Sequence, residues 1–481
     1  MQQLMWFRQD LRTEDNHALA KATAQGPVVG VFIISPKQWR THHEAPCKLD
    51  FWLRNLLALQ QQLALRNIPL VTLTCDDWQT VPQALLQLAK QCKISQLHFN
   101  QQFGVNENQR DAQVHSTFQQ AGIACHSYQD FTLLAPGSIH NQSQQPYKVF
   151  TAFKKACAKR LEYQAQPYYS LAPIQPKLAI ASSNIAQAFQ HAGIPVAAAH
   201  FSQLWPAGET EATQRLEDFL ASAVLAYQQQ RDFPALSGTS SLSPYLAAGV
   251  ISIRRCFNAA LQLNQGELLS GQPGLSTWLN ELLWREFYLH LMAAYPKLSK
   301  QQPFQAHTQH LQWRHAPADF AAWCQGQTGM PIVDAAMRQL LATGWMHNRL
   351  RMISASFLSK NLLIDWRLGE AWFMQHLIDG ELAANNGGWQ WCASTGTDAA
   401  PYFRVFNPVT QAERFDPEAR FIQHWLPELA GLSSKACYLP KQEPRLLAAL
   451  NYPKLIVDLS HSRVRAIDAF KQLTTSPTPS T

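Results

Sequence analysis

Along the first 130 residues, short apolar runs at 4–7, 28–34, 68–74 and 94–99 alternate with stretches of helical period at 47–66 and 80–90. Continuous apolar strands separated by helices predict a parallel sheet covered on both faces, here a Rossmann-like, doubly wound α/β domain over residues 1–130. No GxGxxG follows the first strand, so a nucleotide held by the usual glycine-rich turn is not predicted there. Residues 131–200 are rich in Pro, Gln, Ser and Ala with few long apolar periods, and they read as a long connector. Beyond residue 200 the pattern is helical almost to the end, with strong segments at 211–230, 276–294, 331–341, 345–363 and 370–378. An all-helical domain over 201–472 follows, with a disordered tail at 473–481.

A chain of 481 residues exceeds one core and divides into about two or three domains. Its hydrophobic residues fall in short runs, and none approaches the roughly 18 apolar residues of a membrane span. The opening MQQLMWFRQDLR lacks the apolar core of a signal peptide, so the expected location is cytoplasmic, with no membrane partner. The nine Cys are odd in number and scattered, without CxxC or a Cys/His cluster, which indicates neither a disulfide framework nor a metal site. The net charge of +7 permits an anionic partner without demanding one.

Chemistry concentrates between residues 334 and 411, where five Trp stand beside Arg349, Arg351, Asp379, Asn385 and Asn386. Trp is usually buried and seeks a partner for its N–H, so this mixture points to a pocket for a large planar polar ligand. In STWLNELLWREFYLHLMAAYP, Glu281, Trp284 and Tyr288 fall at i, i+3 and i+7, so one helical face presents a carboxyl beside aromatic rings. Burial there would raise the Glu281 pKa and make it a proton donor; an amphipathic helix with Glu281 at its edge fits the same spacing. In GWMHNRLRMISASF, Asn348 and Met352 share a face flanked by Arg349 and Arg351, and enclosed arginines need an anionic partner, for which Asp379 is the candidate. Trp389 and Trp391 are two apart, about 200 degrees around a helix, so one can line a cavity while the other packs behind it. Two core tryptophans are the other reading. The NNGG before them reads as a helix entry or loop, and GTSSLS (238–243) as either a phosphate cradle or a cap ahead of a helix from about Pro244.

Taken together, WFRQDLR (6–12), VNENQRD (105–111), YKVFTAFKKA (147–156), QQRDFP (229–234), GTSSLS, WLNELLWREFY (278–288), TGMPIVDAAMRQL (328–340), the Trp-rich run and FNPVTQ resemble the photolyase and cryptochrome flavoproteins, most closely the bacterial class I cyclobutane pyrimidine dimer photolyases. The resemblance spans nearly the whole chain. It implies an N-terminal antenna-binding α/β domain, a helical domain that holds FAD, and splitting of ultraviolet-induced pyrimidine dimers in DNA by an electron from light-excited reduced FAD. By the same resemblance, FAD contacts fall on Tyr227, Thr239, Ser240, Leu242, Ser243, Trp278, Arg285, Asn348, Arg351, Asp379, Glu381 and Asn385. Arg351 with Asp379 would lie against the flavin ring, and Asn385 at its N5 edge.

The resemblance also assigns a lesion site, since such enzymes act on bases taken out of the stack. Trp284 and Trp391 match the aromatic wedge; Glu281, Asn348 and Met352 match contacts to the dimer, with Asn385 completing the catalytic set. Arg231, Arg349 and Arg404 match contacts to flanking phosphates. Trp389, Trp366 and Trp313 match a tryptophan chain that carries electrons between flavin and surface. Asn106, Glu107 and Lys300 match positions that hold a methenyltetrahydrofolate antenna in relatives, and Ser241 stands where some relatives carry a basic residue. A monomer is expected. Within the family the alternatives are a cryptochrome photoreceptor, which often carries a long C-terminal extension, and a (6-4) photolyase, which uses a His pair at the lesion where this chain has Asn348 and Met352. Outside it, a flavodoxin-like or NAD-linked oxidoreductase lacks support in any glycine fingerprint.

Overall fold

The computed structural model describes residues 1–163, 166–195 and 197–475. Its chain divides into two compact units: Met1–Leu225 with Ser240–Pro296 and Ile378–Glu381, and Ala226–Thr239 with Lys297–Leu377 and the residues from Leu382 onward.

The first unit is built on a five-stranded parallel sheet of order β3-β2-β1-β4-β5, with β1 Gln2–Phe7, β2 Val28–Ile34, β3 Leu70–Thr74, β4 Ile94–Asn100 and β5 Ala124–Tyr128. The register sets Leu4 against Val29 and Trp6 against Val31, so β1 and β2 are buried on both faces, as their unbroken apolar runs require. Strand β5 escaped the sequence reading because ACHSY is an edge strand without an apolar run. Helices Pro46–Ala64 and Val81–Gln91 follow β2 and β3, each opened by Pro in its first turn, where the missing N–H costs nothing.

The stretch expected to be only a connector holds two further helices, Phe150–Tyr163 and Ile185–His191. Phe150, Phe153 and Cys157 give the first of them a narrow apolar stripe at i, i+3 and i+7, which its lysines obscure in the sequence. That stripe packs on the Pro273–Ala294 helix, with Phe153 meeting Phe287 at 5.2 Å and His290 at 5.1 Å. The long helix also fixes the loop after β5. Arg285 donates to the Phe131 carbonyl (2.7 Å), and the Glu286 carboxyl accepts the Leu133 (2.9 Å) and Leu134 (3.4 Å) amides.

The second unit is helical. Its core joins helices Pro331–Thr343, Asn348–Ser356, Trp366–His376 and Leu382–Ala393 through Met337, Leu350, Phe357, Trp366 and Trp389. The helix expected over 345–363 starts later, at Asn348, because the His347 ring accepts the Arg349 amide and caps it. It then widens into a π-helical turn, Phe357–Asn361. NNGG is neither a loop nor a helix entry: all four residues lie inside Leu382–Ala393. Glycine is tolerated there because close packing, not propensity, holds this helix. The C-terminal helix Leu459–Thr475 docks on the π turn, where Arg465 donates to the Asn361 carbonyl and Asn361 to Ser462. The expected tail falls, from residue 476, outside the described residues.

Candidate functional site

In the first unit the helix Pro273–Ala294 realises the spacing read from the sequence. Glu281, Trp284 and Tyr288 are half-buried along one face, with the Trp284 and Tyr288 rings 5.7 Å apart. Phe150 stacks on Trp284 at 3.6 Å with planes 11° apart. The fully buried carboxyl of this helix is Glu286, five residues on, where burial pushes the pKa up to about 7. Sequence reasoning missed it because its partners, the Leu133 and Leu134 amides, come from a loop 153 and 152 residues earlier in the chain. Burial likewise pulls the neighbouring His290 down to about 4, so it is neutral at pH 7.

Trp278 is buried and meets Phe219 at 5.1 Å. Leu242 is buried, Ser240 half-buried and Ser243 exposed, and the helix that follows is a single turn, Ser243–Ala247, with Pro in its first turn. Ser241 takes φ 50, a left-handed position that reverses the chain within the hydroxyl-rich segment. The four residues Ile378–Glu381 bring Asp379, 6% exposed, into this unit. Their anchor is a residue that no motif singles out: Lys48, buried in the first turn of helix Pro46–Ala64, donates to the Gly380 carbonyl and pairs with Glu44.

The second unit holds Tyr227, Thr239, Asn348, Arg351 and Asn385 of the expected FAD set. Arg351 donates to the Met346 carbonyl (2.8 Å). Asn348 is exposed and Met352 half-buried, and the Cys392 thiol approaches the Met352 carbonyl at 3.7 Å. Where Asp379 was the expected candidate for the arginine pair, Arg349 pairs with Asp232 at 2.8 Å, 117 residues earlier in the chain, and also lies 4.3 Å over the Phe415 ring. Arg231 sits 5.9 Å over Tyr227, and Arg404 is exposed in the turn after Pro401.

Asn385 donates its side-chain amide to the Glu370 carbonyl (3.0 Å). Asn386 donates to the Glu370 carboxyl (2.8 Å), and Gln390 continues the chain to Asn386 (2.9 Å). Burial raises Glu370 to about 7. The Asn side chain proposed to face a flavin is therefore oriented by a buried hydrogen-bonded network, invisible in sequence because its members come from two helices. Trp389 (2% exposed) and Trp366 (1%) are buried and Trp313 is half-buried at the edge of the same core. Trp391 is half-buried, so the two tryptophans of this helix do differ in burial. Trp323, absent from the sequence reading, meets Trp389 edge to face at 6.0 Å.

Of the expected antenna positions, Asn106 is exposed with its side-chain amide 2.9 Å from the His42 ring, Glu107 opens helix Val105–Gln120, and Lys300 is exposed at the end of a 3-10 turn. The cavity of the α/β unit, lined by Trp6, Trp39, Trp52, Trp78, Arg8 and Arg110, measures about 60 Å³. Among the described residues no His/Cys/Asp/Glu cluster could hold a metal, and no helix is long and apolar enough to cross a membrane.

By residue type, each unit offers groups that suit a flavin dinucleotide: the first has the hydroxyls of Ser240 and Ser243, the Arg285 guanidinium and the Asp379 carboxyl, and the second has the Thr239 hydroxyl, the Arg351 guanidinium and the Asn385 amide. Two family models match the chain: DNA photolyase over residues 3–177 and the FAD binding domain of DNA photolyase over 278–472. Deoxyribodipyrimidine photo-lyases of Salmonella typhimurium and Escherichia coli are 46% and 45% identical to it, each match covering 97% of this chain and 98% of the relative. A class III photolyase structure from Agrobacterium tumefaciens is similar with a TM-score of 0.86 at 33% identity, covering 98% of both chains. With relatives matched over 97% of its length, the chain belongs to the DNA photolyase family.

Proposed function

We infer that this protein is a deoxyribodipyrimidine photo-lyase, which splits cyclobutane pyrimidine dimers in DNA under near-ultraviolet or blue light. The observation that carries the reading is the end-to-end match to relatives of that name, over 97% of this chain. FAD supplies the light-driven electron when it is bound. The residues that would hold it are Tyr227, Thr239, Ser240, Leu242, Ser243, Trp278, Arg285, Asn348, Arg351, Asp379, Glu381 and Asn385.

What the chain itself does follows from its side chains. Arg351 would offer a fixed cation to the negative charge of a reduced ring, with Asp379 as the carboxylate that would orient it. Asn385, held by Glu370, presents a neutral amide that neither titrates nor repels the reduced ring. Trp284, stiffened by Phe150, and Trp391 wedge beside an extruded dimer. Glu281, Asn348 and Met352 contact its edges, with Glu281 stabilising the carbonyl that gains charge. Arg231, Arg349 and Arg404 take flanking phosphates. Trp389, Trp366 and Trp313 supply easily oxidised indoles in short steps from core to surface.

In this reading residues 1–130 bind an antenna and 201–472 hold FAD and DNA, joined through 131–200. The antenna is 5,10-methenyltetrahydrofolate against Asn106, Glu107 and Lys300, the positions that the family resemblance assigns to it. The protein acts as a cytoplasmic monomer on ultraviolet-damaged DNA. Purified protein, reduced and illuminated with blue light, should remove thymine dimers from an irradiated oligonucleotide, with no loss in the dark. A bound flavin without dimer repair would replace this reading by a cryptochrome or a (6-4) enzyme; folded protein that takes up no flavin would end it.

A further inference from the structure

Lys48 is 2% exposed, an unusual place for an ammonium group, because desolvating a charge is costly unless partners compensate. Its partners are three. Glu44, itself nearly buried and one helical turn earlier, pairs with it at 2.5 Å; the Trp52 ring lies 5.0 Å away; and the Gly380 carbonyl, 332 residues on in the chain, accepts a hydrogen bond from Nζ. Only the last contact reaches outside the helical region of Lys48. It ends on Ile378–Glu381, the four-residue segment that packs with the first unit while the chain on either side belongs to the second. The field of Asp379 is also felt at Cys47, whose thiol is raised to about 12, chiefly by burial, with Asp379 adding to it. Asp379 therefore lies close to the start of the Pro46–Ala64 helix.

We propose that Lys48 is a positioning residue for the flavin site: the ammonium of the α/β unit grips the Gly380 carbonyl and so fixes where the flanking Asp379 and Glu381 point. This role rests on the assignment of Asp379 and Glu381 to FAD. The physical case is that a carbonyl hydrogen-bonded to a buried, ion-paired ammonium has little freedom, and a carboxylate one residue away inherits that restraint. Glu44 supplies the paired carboxylate in this buried setting.

The test uses the full-length protein with FAD itself as the probe. Lys48→Met is combined with Glu44→Gln so that no unpaired buried charge remains. The FAD dissociation constant is measured by flavin fluorescence, together with the visible flavin band shape and the melting temperature of flavin-free protein. The expected result is FAD binding weakened roughly tenfold or more, the size of one charge-assisted hydrogen bond, with an altered band shape and a melting temperature close to that of the parent. Should the double variant not fold, Lys48→Gln is read by the same criteria. FAD affinity within threefold of the parent in a folded variant overturns the role, as does an FAD loss that merely follows loss of fold. A parent that binds no FAD overturns both this role and the site assignment, whereas a parent that binds FAD beside an unaffected variant overturns the role alone.

Discussion

Phe150 lies flat on Trp284, the ring centroids 3.6 Å apart and the planes 11° from parallel. One face of the indole is thus taken by a ring from a different helix, and Tyr288 and Phe287 tilt against it at 5.7 and 5.8 Å. Trp284 is thereby left few accessible orientations, as the proposed wedge role requires. Trp284→Ala should therefore weaken binding of dimer-containing DNA by about 1–3 kcal/mol, the range for one base–aromatic stack. Phe150→Ala should weaken it less, through loss of stiffness alone. Fluorescence anisotropy with a labelled oligonucleotide reads both, and parental affinity in Trp284→Ala would remove the wedge role.

Gly369 packs directly against the Trp389 ring and the Leu358 side chain, and a Cβ there would come within 2.7 Å of Leu358 and closer still to Trp389. Gly369→Ala should destabilise the helical unit by about 1–3 kcal/mol, the usual cost of overpacking. Because Trp389 must shift, light-driven reduction of oxidised flavin should slow while repair by chemically reduced protein persists. Denaturant melts and flavin photoreduction rates check the two halves separately, and an unchanged melt would mean that the helix yields at no cost.

Lys360 is fully buried, donates to Ser394 (2.8 Å) and sits 3.8 Å from the Phe470 ring. Burial lowers its pKa from 10.5 to about 7. Between about 7 and 10.5 the folded chain holds this amine neutral while the unfolded chain keeps it charged, so the unfolded state binds the extra proton and folding stability rises with pH. Below 7 the charging penalty is fully present. Lys360→Met should therefore gain most over the parent near pH 6, and the gain should shrink above pH 7 by up to about 1.4 kcal/mol per pH unit. Urea melts at a series of pH values provide the comparison; a difference independent of pH would contradict a neutral Lys360.

Arg404 is exposed and Arg349 is paired with Asp232 at 2.8 Å. If both contact phosphates, each Arg→Ala change should lower the slope of log affinity against log salt by roughly 0.7–0.9. Arg349→Ala should cost more, because it also leaves Asp232 without its cation. Salt titrations of DNA binding measure the slopes, and slopes equal to the parent's would take these residues off the DNA.

Periodicity alone located the central strands, since β1 and β2 are buried on both faces and leave unbroken apolar runs. It also located the long amphipathic helices, and it set Glu281, Trp284 and Tyr288 on one face of the Pro273–Ala294 helix. It missed β5 and the Phe150–Tyr163 helix, because an edge strand needs no apolar run and a helix on a single neighbour needs only a narrow stripe. Family motifs named the ligand chemistry, which no helical period could have done.

The sequence by itself determined the α/β-then-helical order, the absence of a long apolar span and the aromatic and basic residues offered to a ligand, because these depend on spacing and side-chain type along one chain. Only the tertiary structure decided that Glu286 and Glu370 are strongly shifted carboxyls, that Asn385 is held by Glu370, and that Lys48 reaches Gly380. Each of those facts depends on desolvation or on a hydrogen bond between residues distant in sequence, and both arise only when separate elements close over the same polar group.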